Sequence, residues 1–206
     1  MIATLLAGAA RLMSGASIVW LAPPPSESTT QRVYFGNHTS HLDFVVIWSA
    51  LPARVRARTR PVAGGDYWLK GRVRRYLSRR VFHAILIERA GVTTSPANAV
   101  KSIERIAAGM GADHDIIVFP EGTRAMDGEM KPFKSGIYHL CRMKPEVELV
   151  PVYLANMNRI LPKGEVLPVP LLGRVVFGAP TRMQPDEEKA AFLTRMRDAL
   201  LALRDR

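Results

Sequence analysis

The stretch Gly36-Asn37-His38-Thr39-Ser40-His41-Leu42-Asp43 holds a histidine and, five positions later, an aspartate. Those are the residue types that general-base chemistry requires. If the turn between them folds back, the carboxylate reaches one imidazole nitrogen, fixes the tautomer and stabilises the imidazolium, and the other nitrogen is free to take a proton from an alcohol. This is the base and orienter of a catalytic triad without a protein nucleophile. Two other readings fit the same residues. Ser40-x-x-Asp43 matches the Ser/Thr-x-x-acid signature of a capped helix start. His38, His41 and Asp43 are also possible metal ligands, but the remaining histidines, His83, His114 and His139, are scattered singly, so no metal is expected.

The elements that must position this pair are short and apolar. Val33-Tyr34-Phe35 is β-branched and aromatic, which predicts a strand ending at Gly36, and Phe44 to Trp48 predicts a helix behind Ser40-x-x-Asp43. His38 then sits on the strand-to-helix turn. A second motif, Asp115-Ile116-Ile117-Val118-Phe119-Pro120-Glu121-Gly122-Thr123-Arg124, reads as a buried strand running into a glycine-containing turn with an acid and an arginine.

Together, NHTSHLD at His38 and FPEGTR at Arg124 resemble the two signature blocks of the glycerolipid acyltransferase family, of the 1-acylglycerol-3-phosphate acyltransferase type. Weaker fits are Ala84-Ile85-Leu86-Ile87-Glu88-Arg89 and Val150-Pro151-Val152, so the resemblance runs from about Val33 to Pro180. It implies an O-acyltransferase that moves a fatty acyl group from acyl-CoA or acyl carrier protein to the free hydroxyl of a lysophospholipid, here 1-acylglycerol 3-phosphate, giving phosphatidate without a cofactor. It also implies that Glu121, Gly122, Thr123 and Arg124 bind the acceptor, with Glu121 on a glycerol hydroxyl and Gly122 allowing close backbone approach. Arg89 and Arg124 would grip the phosphate through paired charge-assisted hydrogen bonds. The chain departs from the family after the first helix, where Gly65-Asp66-Tyr67-Trp68, with Lys70 nearby, replaces a Lys-x-Glu-Leu-type stretch, and its N-terminal membrane element is short. These departures leave a lyso-aminolipid acceptor, or a thioesterase using the same histidine, as alternatives.

Strands alternating with helices along the 206 residues predict a single α/β domain with a mostly parallel or mixed sheet between helical layers. Cys141 is the single cysteine, which excludes an internal disulfide and fits a reducing compartment. The net charge of +11 points to a polyanionic partner. Mean hydropathy is +0.01, which excludes a multispan membrane protein. No basic segment precedes the apolar run at the start, so a signal peptide is not expected.

Residues 1–21 are apolar with one charge, Arg11. Spanning a bilayer takes about 20 consecutive apolar residues, and a run of this length with an arginine near its middle suits an interfacial helix better. Arg11 would point outward and Trp20 would lie near the headgroups; the rival is a helix packed on its own core. The expected division is therefore 1–25 as interfacial helix and Pro-rich linker, and 26–206 as the acyltransferase domain. Arg54, Arg56, Arg58 and Arg60 recur at alternating positions, and Lys70, Arg72, Arg74, Arg75, Arg79 and Arg80 follow with no acid from Tyr67 to His83. Such self-repulsion favours an anionic membrane surface as partner. A nucleic-acid-binding module is the rival reading of this belt, but it lacks a recognisable motif and has few aromatics beside it, so no nucleic acid is expected. A monotopic enzyme on the cytoplasmic face of the inner membrane follows.

Overall fold

Val33, Tyr34 and Phe35 are all fully buried, and successive residues face opposite cores, which makes this the central strand of a sheet covered on both sides. The computed structural model describes residues 2–25, 30–40, 43–88, 96–125, 129–156 and 173–206. Its elements begin with α1 (Ile2–Ser14), β1 (Ser17–Trp20), β2 (Arg32–Gly36), α2 (Asp43–Ala50), α3 (Ala53–Arg58) and β3 (Thr59–Gly64). Next come α4 (Gly65–Trp68), α5 (Arg72–Tyr76), a π-helical turn (Leu77–Val81), β4 (Ile85–Ile87) and α6 (Pro96–Met110). The rest are β5 (Asp115–Val118), α7 (Gly136–Met143), β6 (Glu148–Ala155), β7 (Arg174–Phe177) and α8 (Lys189–Leu201).

The seven strands lie in the order β1-β7-β6-β2-β5-β3-β4, and every pairing is parallel except β6 with β7. One apolar layer packs Tyr34, Val150 and Phe177 beneath α1 and α2. The other packs Phe35, Ile116 and Leu149 beneath α6, α7 and α8. Chain direction around the sheet reverses at β2, whose neighbours β5 and β6 come from later in the sequence, and ligands bind at the carboxyl ends of strands at such a switch point.

The N-terminal expectation is corrected. Gly15 adopts φ 53° and ends the helix, and Ser17–Trp20 then pair in parallel with Arg174–Phe177. Ile18 and Val19 are β-branched and find an open sheet edge in β7, so pairing replaces a continued helix. Residues before 25 thus contribute a strand to the same sheet, and α1 packs on α2 with Ala7 buried in the core. Among the described residues no helix is long and apolar enough to cross a membrane.

Pro151 lies in β6, an interior strand between β2 and β7. Its carbonyl accepts from Gly178 just past the end of β7, so the missing N–H falls where that ladder stops. The final helix starts at Lys189, and Glu187 before it forms a two-pronged pair with Arg195, both contacts at 2.6 Å.

Candidate active site

Parallel pairing sets Phe35 opposite Val118. Three residues beyond each partner come His38 and Glu121, so the register of β2 and β5 delivers the two motifs to the same place. The backbone N–H of His38 donates to Glu121 Oε1 at 2.8 Å, and the N–H of Lys131 donates to Glu121 Oε2 at 2.9 Å. The Ala125 N–H returns a bond to the His38 carbonyl at 2.8 Å. Glu121 is only 2% exposed. Burial pushes its carboxyl pKa up, partly countered by the amides of Lys131 and His38. Glu121 was expected on a glycerol hydroxyl; here its two oxygens join backbone turns. On the other side of β2, the Asn37 side-chain amide exchanges hydrogen bonds with the Leu154 backbone at 2.9 and 2.8 Å, tying the turn to β6.

Asp43 is the first residue of α2 and is fully buried. Its carboxylate folds back over the turn, where Oδ2 lies 2.8 Å from His38 Nδ1 and accepts from the N–H groups of Thr39 at 2.7 Å and Ser40 at 2.8 Å. The capping reading and the catalytic reading are thus one arrangement, with a carboxylate that caps the turn also holding the imidazole. The ring also stacks on Phe119 with centroids 4.3 Å apart, which sets its plane. With Nδ1 committed to the carboxylate, Nε2 is the nitrogen left to act on a hydroxyl.

His38 borders a cavity of about 480 Å³. Gly122, Thr123, Arg124 and Lys134 line its polar part, and Val62, Ile87, Ile106, Ile137 and Leu140 are among its apolar lining. Gly122 accepts φ 70° where its N–H closes the turn onto the Phe119 carbonyl at 3.0 Å. Arg89 and His41 lie outside the described residues; Ile87, which lines the cavity, comes two positions before Arg89. Among the described residues no group of three His, Cys, Asp or Glu side chains could hold a metal ion. Lys134 carried no signal beyond lying in Phe133-Lys134-Ser135-Gly136 before a helix, and only the folded chain brings it to His38.

The expected membrane contacts fall in different places. Arg11 is exposed, and its Nε donates to the Ser49 carbonyl at 2.6 Å. Arg56 joins it on the carbonyls of Ser49 and Leu51, so two cations meet the negative end of α2. Burial and the Arg11 charge hold the Arg56 guanidinium below its ordinary pKa. Trp20 stacks on Phe177 with ring centroids 3.8 Å apart. Arg58 pairs with Asp115 at 3.0 Å, and Arg60 reaches the Gly109 carbonyl at 3.0 Å and His114 at 2.8 Å. Arg56, Arg58 and Arg60 of the expected basic belt are therefore turned onto protein partners, whereas Arg54 is exposed. The second part stays outward: Lys70 is exposed, and Arg72, Arg75, Arg79 and Arg80 share one exposed face with Val73 and Tyr76. Arg74 lies over the Tyr67 ring at 4.4 Å.

A family model described as Acyltransferase matches residues 24–155. The chain is 33% identical over 167 residues to the 1-acyl-sn-glycerol-3-phosphate acyltransferase of Limnanthes alba, covering 76% of this chain and 55% of that protein. It is 30% identical over 188 residues to 1-acyl-sn-glycerol-3-phosphate acyltransferase alpha of Homo sapiens, covering 87% and 60%. The chain spans little more than half the length of these relatives. The crystal structure of the 1-acyl-sn-glycerophosphate (LPA) acyltransferase PlsC from Thermotoga maritima superposes with a TM-score of 0.74. That match covers 99% of this chain and 78% of the other at 16% identity, a likeness of fold.

Proposed function

This chain belongs to the acyltransferase family, and from that premise we propose that it acylates the free hydroxyl of 1-acylglycerol 3-phosphate from a thioester donor, giving phosphatidate. The observation that carries the reading is the His38–Asp43 pair at 2.8 Å, opening on a cavity that also holds Arg124. The acceptor hydroxyl donates to His38 Nε2, which takes the proton as the oxygen attacks the thioester carbonyl. The new C–O bond forms, the C–S bond breaks, and the imidazolium returns the proton to the departing thiolate. Asp43 stabilises the imidazolium between those steps.

Direct transfer is favoured over an acyl-enzyme. Cys141 is buried, and burial pushes its thiol pKa up to about 12, so it is not a nucleophile at neutral pH. The apolar lining from Val62 to Leu140 suits a fatty acyl chain, and Arg124 suits the acceptor phosphate. Acyl-CoA or acyl carrier protein serves as donor, and no cofactor is required.

The acceptor is drawn from an anionic membrane surface on which the protein sits monotopically, at the cytoplasmic face of the inner membrane. Support comes from the exposed Ile2, Leu5 and Leu12 of α1 and from the basic face of α5. Purified protein, labelled acyl thioester and a panel of lysolipids test the whole reading. Phosphatidate formed from 1-acylglycerol 3-phosphate is the expected outcome. Preference for an amino-headed lysolipid, or acyl release that needs no acceptor, would overturn it.

A further inference from the structure

We propose that Lys134 is a second cation of the acceptor-phosphate site, acting with Arg124 across Gly122; this rests on the acceptor reading above. The residue is anchored by its backbone, since the Lys134 N–H donates to the Pro120 carbonyl at 2.9 Å. Before it, the Lys131 N–H is held by Glu121 at 2.9 Å and the Phe133 ring meets Phe35 edge-on at 6.3 Å. The segment therefore runs alongside the Phe119–Gly122 turn and cannot drift from it.

The side chain then crosses the turn where a glycine leaves room. A Cβ built on Gly122 would lie 2.9 Å from Lys134 Cδ and 3.0 Å from both Cε and Nζ. Gly122 thus serves the lysine as well as the backbone, because any larger residue would push the ammonium aside. The two lysines of this segment differ in use. Lys131 Nζ donates to the Arg124 carbonyl at 3.1 Å and so props the turn. Lys134 Nζ and the Arg124 guanidinium have no hydrogen-bond or ion-pair partner among the described residues, and both residues line the cavity that holds His38 and Thr123.

Two cations lining one cavity favour an anion there, and Glu121 does not supply it, since its carboxylate is buried and held by backbone amides. A phosphomonoester carries about −1.5 to −2 charges at neutral pH and accepts several bonds, which suits a planar guanidinium on one side and a point-charge ammonium on the other. Gly136, the first residue of α7, lines the same cavity, and no side chain caps that helix. The site so assembled favours a terminal phosphate over a phosphodiester or an uncharged headgroup.

The test uses the full chain with Lys134→Gln and Lys134→Arg, assayed on 1-acylglycerol 3-phosphate, on lysophosphatidylglycerol and on monoacylglycerol with the same acyl chain. Lys134→Gln is expected to raise the KM for 1-acylglycerol 3-phosphate about tenfold or more with kcat little changed, and to erase much of its advantage over the other two. Lys134→Arg should restore most of that advantage. Inorganic phosphate should raise the Tm of the parent protein and raise that of Lys134→Gln less. An unchanged KM and an unchanged phosphate effect on Tm, in a variant with the parent unfolding curve, would overturn the assignment. So would a fall in kcat alone, which marks a structural role. If the parent protein itself shows no preference for 1-acylglycerol 3-phosphate over monoacylglycerol, the acceptor reading fails first and the inference falls with it.

Discussion

Asp43 Oδ2 accepts from an imidazole and from two backbone N–H groups, so its replacement acts on both rate and fold. The asparagine carbonyl oxygen can keep those three donors, but the neutral side chain no longer stabilises the imidazolium, and its NH2 falls where the buried Oδ1 has no hydrogen-bond partner among the described residues. Asp43→Asn should lose activity and also unfold at lower denaturant concentration. His38→Ala should lose about two to four powers of ten in rate with its unfolding curve unchanged, as removal of a general base does. A near-parental rate for His38→Ala would contradict the mechanism. Glu121 makes a different prediction. Glutamine can accept from only one of the amides of His38 and Lys131, so Glu121→Gln should cost about 1–3 kcal/mol of stability and lower kcat by displacing the turn. A change confined to the acceptor KM would instead place Glu121 on the substrate.

At the level of elements, one buried aspartate joins three of them. Asp115 at the start of β5 accepts from the Arg32 N–H of β2 at 2.8 Å and from Arg58 of α3 at 3.0 Å. Burial outweighs both contacts and raises its pKa from 3.8 to about 6. The folded state then binds this proton more tightly than the unfolded chain does. The stability from that proton is present below pH 4, is lost as the pH rises to about 6, and stays lost above. The rise corresponds to about 3 kcal/mol. In urea titrations across that range, parent stability minus that of Asp115→Asn should fall as the pH rises. A difference that grows with pH would mean that the Arg58 pair dominates over burial. The same reasoning covers the end of α2, where Arg11 from α1 and Arg56 from α3 meet carbonyls that the helix leaves unpaired.

For the molecule as a whole, the question is which surface meets the lipid. Removing residues 1–21 would take away β1 and the Ala7 contact in the core, so weaker vesicle binding by such a truncation would report unfolding as much as lost adsorption. Point changes on the outward faces avoid this. Leu5 is 67% and Leu12 is 83% exposed, and Leu5→Ser with Leu12→Ser should weaken flotation with both neutral and anionic vesicles while leaving the Tm in place. Arg72→Glu with Arg75→Glu should weaken flotation with anionic vesicles only. High salt should reproduce that loss in the parent protein, because attraction is screened beyond about 8 Å at physiological ionic strength and over shorter distances above it. Undiminished flotation of all four substitutions combined would rule out both faces.

What the sequence determined by itself is local. His38 and Asp43 are five residues apart, and the β-branched run before them and the apolar run after them already specify strand, turn and helix. The turn geometry that joins the two side chains follows from those neighbours. The resemblance carried by the two motifs added the family and the order of the parts. Tertiary structure decided everything that depends on which strands lie side by side. His38 and Glu121 are 83 positions apart, and nothing in either motif says that β2 pairs with β5 in the register that joins them. That pairing makes Glu121 a staple between the two turns. Arg11 is likewise legible as a charge in an apolar run, but its direction depends on a helix end 38 positions away. Residues 17–20 become a strand because β7 offers them an edge. Lys134 enters the site because its backbone is held by one turn and its side chain passes a glycine in that same turn. Local spacing encodes dihedral preference and periodicity, whereas contacts between distant segments depend on the packing of the whole chain.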